Sequence, residues 1–414
     1  MNTGLTTHPR THKIFDPAGS ANSMQYRIRS LHESELEEMI QLTSTAFEST
    51  PEAFRRIYEN DPFYDFSLTR VAEHEGRLIS YMRAAPRTIW IGPATLRMGG
   101  IAEVCTLQEF RRRGIATTLL KDMIHLLIEK GFPVSMLYGR DTFYRRPGWE
   151  LCSIVQNLTI PMEDIPYKAL GGVRQAEERD LDRLISLYEE RYAGHSCCMV
   201  RNRLHFKVRI MNRCDTLVCG EDHPTAYICV KMASRDKARV IQILEAGWSD
   251  RLAFLGLLGY LKESGEGDVL AYTGYPGDDI LAELSLPGSS LSTSWSGMFR
   301  VNSVELTLQS MKPCFDSFQG ELSLVVHDDV VDENNGIFTI SGGTGDVAVE
   351  TASHKTSEWI EADVRQLSQL VPGTVSPSQL YLARKIRASS PRAIRLADEL
   401  FPQRFPYQPS LDHF

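Results

Sequence analysis

Val104-Cys105-Thr106-Leu107-Gln108-Glu109-Phe110-Arg111-Arg112-Arg113-Gly114-Ile115-Ala116-Thr117 is the stretch on which the reading of the chain turns. Upstream, Ile101 through Leu107 reads as a strand. Downstream, Ile115, Leu119, Met123 and Leu127 recur every four residues, flanked by Ala116, Leu120 and Ile124, which predicts a long amphipathic helix. Gly131, just past Lys130, is its stop signal. A strand thus feeds a short basic loop that opens a helix. The first backbone N–H groups of such a helix and the positive end of its dipole bind a pyrophosphate. Gly114 lets backbone approach phosphate without a Cβ, small Ala116 does the same a turn later, and Arg111 to Arg113 offer charge-assisted contacts to anionic oxygens. Taken alone, the hexapeptide is equally compatible with a solvated basic turn whose glycine merely permits a bend.

Working outward, Tyr26–Arg29 alternates like a short strand, and Ser34 with Glu37 reads as a capping box before Leu36, Met39, Ile40 and Leu42. Arg70–Glu73 and Leu78–Met82 read as strands joined by a turn at Glu75-Gly76, and Pro133–Tyr138 as the next strand. The order is mixed α/β. After Gly171-Gly172 the plan returns, with a helix at Ala176–Tyr192, a hairpin-like Ala226–Met232 and a strand at Arg239–Leu244, as in a diverged duplication. The segment after that strand, Ala246-Gly247-Trp248-Ser249-Asp250-Arg251, carries no comparable glycine loop. Leu286 to Ser290 reads as a linker. From about Leu291 a small α+β region follows, with paired strands at Glu321–Val326 and Gly336–Ile340 around Asp332–Gly336 and helices at Ser357–Leu370, Gln379–Ala388 and Pro391–Leu400. The division is therefore a flexible leader at 1–23, an α/β domain at 24–161, a degenerate copy at 162–288 and an α+β domain at 289–414. Apolar and aromatic residues continue to Phe414, which predicts a docked terminus.

Composition narrows the function. With 414 residues, 42% hydrophobic and 24% charged, the chain can bury a real core. The net charge of −8 argues against nucleic acid as the main partner. No stretch approaches the ~20 apolar residues of a membrane helix, and Met1 to Ser23 lacks the apolar centre of a secretory signal. Eight Cys without a C-x-x-C pair suit reduced, buried thiols in a cytoplasm. His195 beside Cys197-Cys198, and His205 with Cys214 and Cys219, match no common metal spacing, so no metal is expected. His327-Asp328-Asp329 reads as an exposed turn.

Arg111-x-x-Gly114-x-Ala116 resembles the R/Q-x-x-G-x-G/A signature of the GNAT superfamily of acetyl-CoA-dependent N-acetyltransferases. Gly139 to Glu150 resembles that superfamily's terminal Y-x-x-x-G-[FYW] segment, with Tyr144, Gly148 and Trp149 in the motif positions. A catalytic GNAT domain, a second one without the loop, a sterol-carrier-like domain and a terminal phenylalanine together resemble the enhanced intracellular survival (Eis) family. That resemblance implies tandem GNAT-like domains, the second degenerate, followed by a sterol-carrier-protein-like α+β domain. It implies acetylation of a primary amine, on an aminoglycoside, a polyamine-like molecule or a lysine side chain, by a cytoplasmic homohexamer with acetyl-CoA as co-substrate and no metal. Carried over to this chain, Val104, Cys105 and Thr106 would pair with the pantetheine arm, and Arg112, Arg113, Gly114, Ile115, Ala116 and Thr117 would cradle the pyrophosphate. Gly139 and Arg140 would line the thioester end, Tyr144 would protonate the departing thiolate, and the α-carboxylate of Phe414 would accept the proton of the attacking amine. The chain departs from the family in its leader and in Pro147 and Trp149.

The roles are chemically coherent. An amine at neutral pH is mostly ammonium and needs a carboxylate in reach to release its lone pair. The oxyanion needs fixed donors, and a leaving thiolate can take a proton from a hydroxyl of pKa about 10. Juxtaposing amine and thioester removes much of the entropic barrier, so Cys105 needs no nucleophilic role. Asp61, Phe63, Tyr64 and Asp65 fall where an acceptor cleft would form and are read as contacts for a cationic amine. Two other readings remain: a lipid-binding sterol-carrier-like protein, and a scaffold that binds acetyl-CoA without turning it over.

Overall fold

The computed structural model describes residues 10–14, 24–59, 61–139, 141–235, 237–343 and 345–414. Its first lobe comprises β1 (Arg10–Ile14), β2 (Met24–Arg29), α1 (Leu36–Phe47), α2 (Pro51–Glu59), β3 (Thr69–His74), β4 (Arg77–Ile91), β5 (Ala94–Thr106), α3 (Ile115–Glu129), β6 (Val134–Leu137), α4 (Asp141–Tyr144) and β7 (Glu150–Pro161). The Glu75-Gly76 turn holds, with both residues at positive φ (50° and 78°), the geometry a tight hairpin demands. The capping box lies two residues earlier than the sequence suggested: the Glu35 carboxylate accepts from the His32 N–H at 2.9 Å, and a 3₁₀ turn precedes α1. Residues 10–14, inside the stretch read as a flexible leader, pair with β2; the rest of that stretch lies outside the described residues.

The second lobe repeats the order, with β8 (Val173–Gln175), α5 (Leu181–Tyr192), β9 (Asp215–Cys219), β10 (Ala226–Arg235), β11 (Ala238–Trp248), a helix at Arg251–Glu263, β12 (Val269–Gly274), a short helix at Asp279–Leu284 and β13 (Ser290–Val301). All thirteen strands form one sheet in the order β1-β2-β3-β4-β5-β6-β13-β7-β12-β11-β10-β9-β8. Its two parallel pairs are β5–β6 and β11–β12. Parallel neighbours require a crossover, supplied by α3 in one lobe and Arg251–Glu263 in the other. The lobes exchange their last strands: β7 lies against β12 of the second lobe, and β13 against β6 of the first. Residues 290–301, grouped with the C-terminal region on sequence, thus belong to the large sheet, because their alternating edge is completed only there.

The third unit is a five-stranded sheet of β14 (Gly320–His327), β15 (Gly336–Gly342), β16 (Ala348–Ala352), β17 (Trp359–Asp363) and β18 (Arg387–Ala388), ordered β16-β15-β14-β17-β18 and backed by helices. Two expected helices are shorter than predicted. Trp359–Asp363 pairs in parallel with β14, and the Asp363 side chain caps the helix that starts only at Val364. The helix expected over Gln379–Ala388 ends at Leu382, where the chain turns into β18. Nor is His327-Asp328-Asp329 simply an exposed turn: the Asp328 carboxylate is fully buried and accepts from Arg300 at 2.6 Å. One apolar core joins this unit to the large sheet, with Ile89, Leu96 and Met136 packed alongside Phe315, Phe338 and Phe401.

From Phe401 the chain returns to the lobes. The Tyr407 N–H donates to Ser196 O at 2.9 Å and its hydroxyl to Thr273 O at 2.8 Å. Asp412, wholly buried, accepts from Arg201 and lies 2.9 Å from His205 Nε2. The terminus is docked, as its aromatic sequence suggested.

Candidate active site

Two left-handed residues separated by one position, Arg112 (φ 63°) and Gly114 (φ 78°), turn the chain out of β5 into α3. Gly114 is the N-cap, no side chain caps this helix, and a Cβ on Gly114 would meet nothing within 4 Å. The N–H groups of Ile115, Ala116 and Thr117 precede the first intrahelical bond, from Thr118 to Gly114 O at 3.0 Å, and so face an open approach. An anion fits there. The three arginines do not act alike. Arg111 closes the loop from behind, its Nε donating to Thr106 O at 3.0 Å and its Nη2 to Ala46 O at 3.3 Å, so it is not an anion contact. Arg112 and Arg113 are exposed, Arg113 resting over the Phe110 ring.

The strand side of the site is a splay. β6 pairs with β5 only over Met98–Ile101, and beyond Ile101 the two strands part. Residues 102–106 keep β4 on one edge and have no strand on the other among the described residues. In this free segment β5 bulges: Tyr81 faces Cys105 but Arg83 faces Ala102, and Glu103 takes a left-handed φ of 57°. Within this free segment the Cys105 carbonyl accepts from the Ser80 hydroxyl at 2.6 Å and the Thr106 carbonyl from Arg111. Cys105 is buried and burial pushes its thiol up, which suits wall rather than nucleophile.

At the end of β6, Tyr138 and Gly139 carry the other two candidates. Gly139 has the Tyr144 ring against it, with Cε2 only 2.5 Å from where a Cβ would stand. Trp149, fully buried, holds the α4 turn: its N–H donates to Tyr144 O at 3.2 Å and its ring lies 6.4 Å from that of Tyr144. Gly148 (φ 102°) is obligatory, since a Cβ there would run into the Arg300 guanidinium. The departure Trp149 therefore serves to seat Tyr144. Burial pushes the Tyr144 hydroxyl up to about 12, so it is protonated at neutral pH. The Phe414 ring lies against Gly100 of β5, 2.5 Å from the Cβ position, and 5.6 Å from the Tyr138 ring. Arg140 lies outside the described residues.

The segment read as a contact for a cationic amine is occupied otherwise. Asp61 pairs with Arg83 Nη1 at 3.2 Å, Asp65 caps a 3₁₀ turn through Ser67 N–H, and the Tyr64 hydroxyl lies 3.1 Å from that of Tyr81. Arg83 also donates to Glu103 at 2.9 Å, and Glu103 accepts from the Tyr58 hydroxyl at 2.8 Å. Sequence reasoning passed over Arg83 and Arg87, although two charges four apart within an apolar strand mark one shared, buried face.

Residues 27–152 match the family model of the acetyltransferase (GNAT) domain, and residues 304–409 that of a sterol carrier protein domain. The chain thus carries an acetyltransferase (GNAT) domain and, toward its C-terminal end, a sterol carrier protein domain. No curated protein matches the sequence. Among solved structures, it shares the fold of a GCN5-related N-acetyltransferase from Anabaena variabilis (19% identity, 94% of this chain and 100% of that one, TM-score 0.80). A probable N-acyltransferase from Enterococcus faecalis is similar at 22% identity (94% and 99% covered, TM-score 0.78), and Eis1 from Mycobacterium abscessus at 19% (93% and 99%, TM-score 0.72).

Proposed function

We propose that the chain is an Eis-family enzyme that moves the acetyl group of acetyl-CoA directly to a primary amine of a small molecule. In this reading the amides of Arg112 to Thr117 hold the pyrophosphate, and the free edge at Val104 to Thr106 receives the pantetheine arm. The Thr106 carbonyl already accepts from Arg111 and the Cys105 carbonyl from the Ser80 hydroxyl, so Val104 carries most of that pairing. The thioester then lies by Gly139 and Tyr144. The Phe414 carboxylate takes a proton from the ammonium, the freed nitrogen attacks the carbonyl carbon, and amides at the Glu103 bulge donate to the oxyanion. As the tetrahedral adduct collapses the C–S bond breaks and the Tyr144 hydroxyl protonates the sulfur, while the surplus proton on the nitrogen passes through water to the tyrosinate and restores the acid. The observation that carries this reading is an uncapped, open helix start at Gly114 feeding a strand splay whose far end bears Tyr144 and Phe414.

Coenzyme A release over a panel of aminoglycosides, polyamines and lysine peptides tests it. Turnover of at least one amine is expected, and none above background refutes it. Calorimetry separates the rivals: tight acetyl-CoA binding without turnover indicates a scaffold, and co-purifying lipid without cofactor binding indicates a carrier. Residues appended after Phe414 are expected to abolish turnover with folding intact.

A further inference from the structure

Strand alternation sets Arg83, Ala85 and Arg87 on one face of β4, opposite Ala102, Gly100 and Met98 of β5. The Phe414 ring covers Gly100 on this face, while Leu127 of α3 covers Gly99 on the other. Arg87 therefore stands two residues along the sheet from the Phe414 seat, about 7 Å away. It lines a cavity of about 210 Å³ together with Phe63, Thr88, Asn202 and His205. Arg87 is 7% exposed, yet among the described residues its Nε and Nη2 have no hydrogen-bond partner, while Nη1 donates to Pro86 O at 2.9 Å. The Phe63 ring lies 4.9 Å from its guanidinium carbon.

The carboxylates around this arginine are committed elsewhere. Asp61 and Glu103 belong to Arg83, and Asp412 belongs to Arg201 and His205. Arg209, close behind, donates to His413 O at 2.5 Å and also has an unpartnered Nε. Burial, with the neighbouring Arg213 and Arg87, pulls the Arg209 guanidinium down to about 10, and burial lowers Arg87 as well. Apart from the Phe414 carboxylate, this corner holds buried positive charge to which the described side chains offer no uncommitted anion.

Resting on the acetyl-transfer reading, we infer that the cavity at Arg87 is an anion subsite and that the acceptor amine also carries a carboxylate, gripped by the planar fork of Arg87 while its amine reaches toward Phe414. Guanidinium and carboxylate match as paired donors and acceptors, and a site built for that pair discriminates against a neutral analogue. A polycation lacking a carboxylate meets like charge there. An amine and a carboxylate joined by a flexible chain of methylenes serve as the probe.

The test compares 6-aminohexanoate with 6-aminohexanamide, which differ only in that charge. Wild-type kcat/KM is expected to favour the acid by at least about tenfold, and R87Q to reduce the preference to about twofold or less. Equal use of the two amines, or a preference that survives R87Q, overturns the inference. Calorimetry with the product 6-acetamidohexanoate supplies a readout without turnover: binding about tenfold weaker in R87Q supports the subsite, and no binding to wild type overturns it. Arg87-dependent product binding with neither of these amines nor any amine of the panel acetylated would leave the subsite standing and defeat the acetyl-transfer reading. Should R87Q fail to fold, the wild-type ratio and wild-type product binding still decide the matter.

Discussion

Gly99 and Gly100 offer a controlled perturbation, because neighbouring positions on β5 present a new methyl to opposite faces. A Cβ on Gly100 would stand 2.5 Å from Cδ1 and Cγ of Phe414, and one on Gly99 would stand 2.7 Å from Cδ2 of Leu127. Carbon atoms settle at about 3.5–4.0 Å, so Gly100→Ala drives the terminal ring outward by roughly 1–1.5 Å. Phe414 is half-buried and yields more easily than the sheet, so the stability loss should stay below about 1 kcal/mol. Misplacing a catalytic group by about 1 Å costs up to ~10²-fold in rate. Gly100→Ala is thus expected to lower kcat about 10- to 100-fold with acetyl-CoA affinity intact, since the Gly114 loop is untouched. Gly99→Ala instead overpacks fully buried Leu127 and should cost about 1–3 kcal/mol, read as a lower Tm. Coenzyme A release, acetyl-CoA calorimetry and thermal unfolding on both variants check this. If Gly100→Ala keeps wild-type kcat, or if the two alanines lower it equally, the placement of Phe414 at the reacting centre is wrong.

Three further outcomes follow from the geometry. Tyr144→Phe should lower kcat about 10²- to 10⁴-fold with little change in acetyl-CoA affinity, and the wild-type rate should show no tyrosine ionisation below about pH 11; an unchanged kcat removes Tyr144 as the acid. Arg201→Met leaves Asp412 and Glu245 buried without their cation, which should cost about 3–5 kcal/mol and expose the tail to trypsin at Arg404; a protease-resistant variant of wild-type Tm contradicts it. Burial lowers His195 and His413 from 6.5 to about 4. The unfolded chain therefore takes up those protons first, so the stability they contribute is complete above about pH 6.5 and drains as the pH falls toward 4. At pH 5 each accounts for up to about 2 kcal/mol, and a Tm unchanged between pH 7 and pH 5 would count against their burial as neutral rings.

What the sequence disclosed and what it hid divide along a physical line. Local signals survived: helix periodicity placed α3, the positive-φ demand placed Gly114, and the Glu75-Gly76 turn located a hairpin. Signals that depend on distant partners did not. Trp359–Asp363 looks helical until β14 offers it a parallel edge, and β13 looks like the start of a new domain until β6 and β7 offer it two. The acidic segment at Asp61 suggested a cation site because its neutralising partner, Arg83, lies 22 residues away. In the same way the positive corner at Arg87 and Arg209 arises only when the two lobes and the tail meet.

That meeting explains what the second lobe contributes after losing the cofactor loop. Where the first lobe places Gly114 at φ 78° and leaves the helix start open, the second places Asp250 in an extended conformation, its carboxylate accepting from Leu252 N–H at 2.9 Å. The chain's own anion fills the position that a pyrophosphate would take in the other copy under the proposed function, so that helix is self-capped. The strands before it acquire a different task. Glu245 on β11, supported by the Tyr227 hydroxyl at 2.6 Å, fixes Arg201, and Arg201 fixes Asp412. Two residues beyond Asp412 the chain lays Phe414 on Gly100 of the first lobe. A buried ionic chain rooted in the second lobe thus sets the position of Phe414 on the first, the placement that its proposed role as base requires, and the exchanged strands β7 and β13 hold the two lobes together.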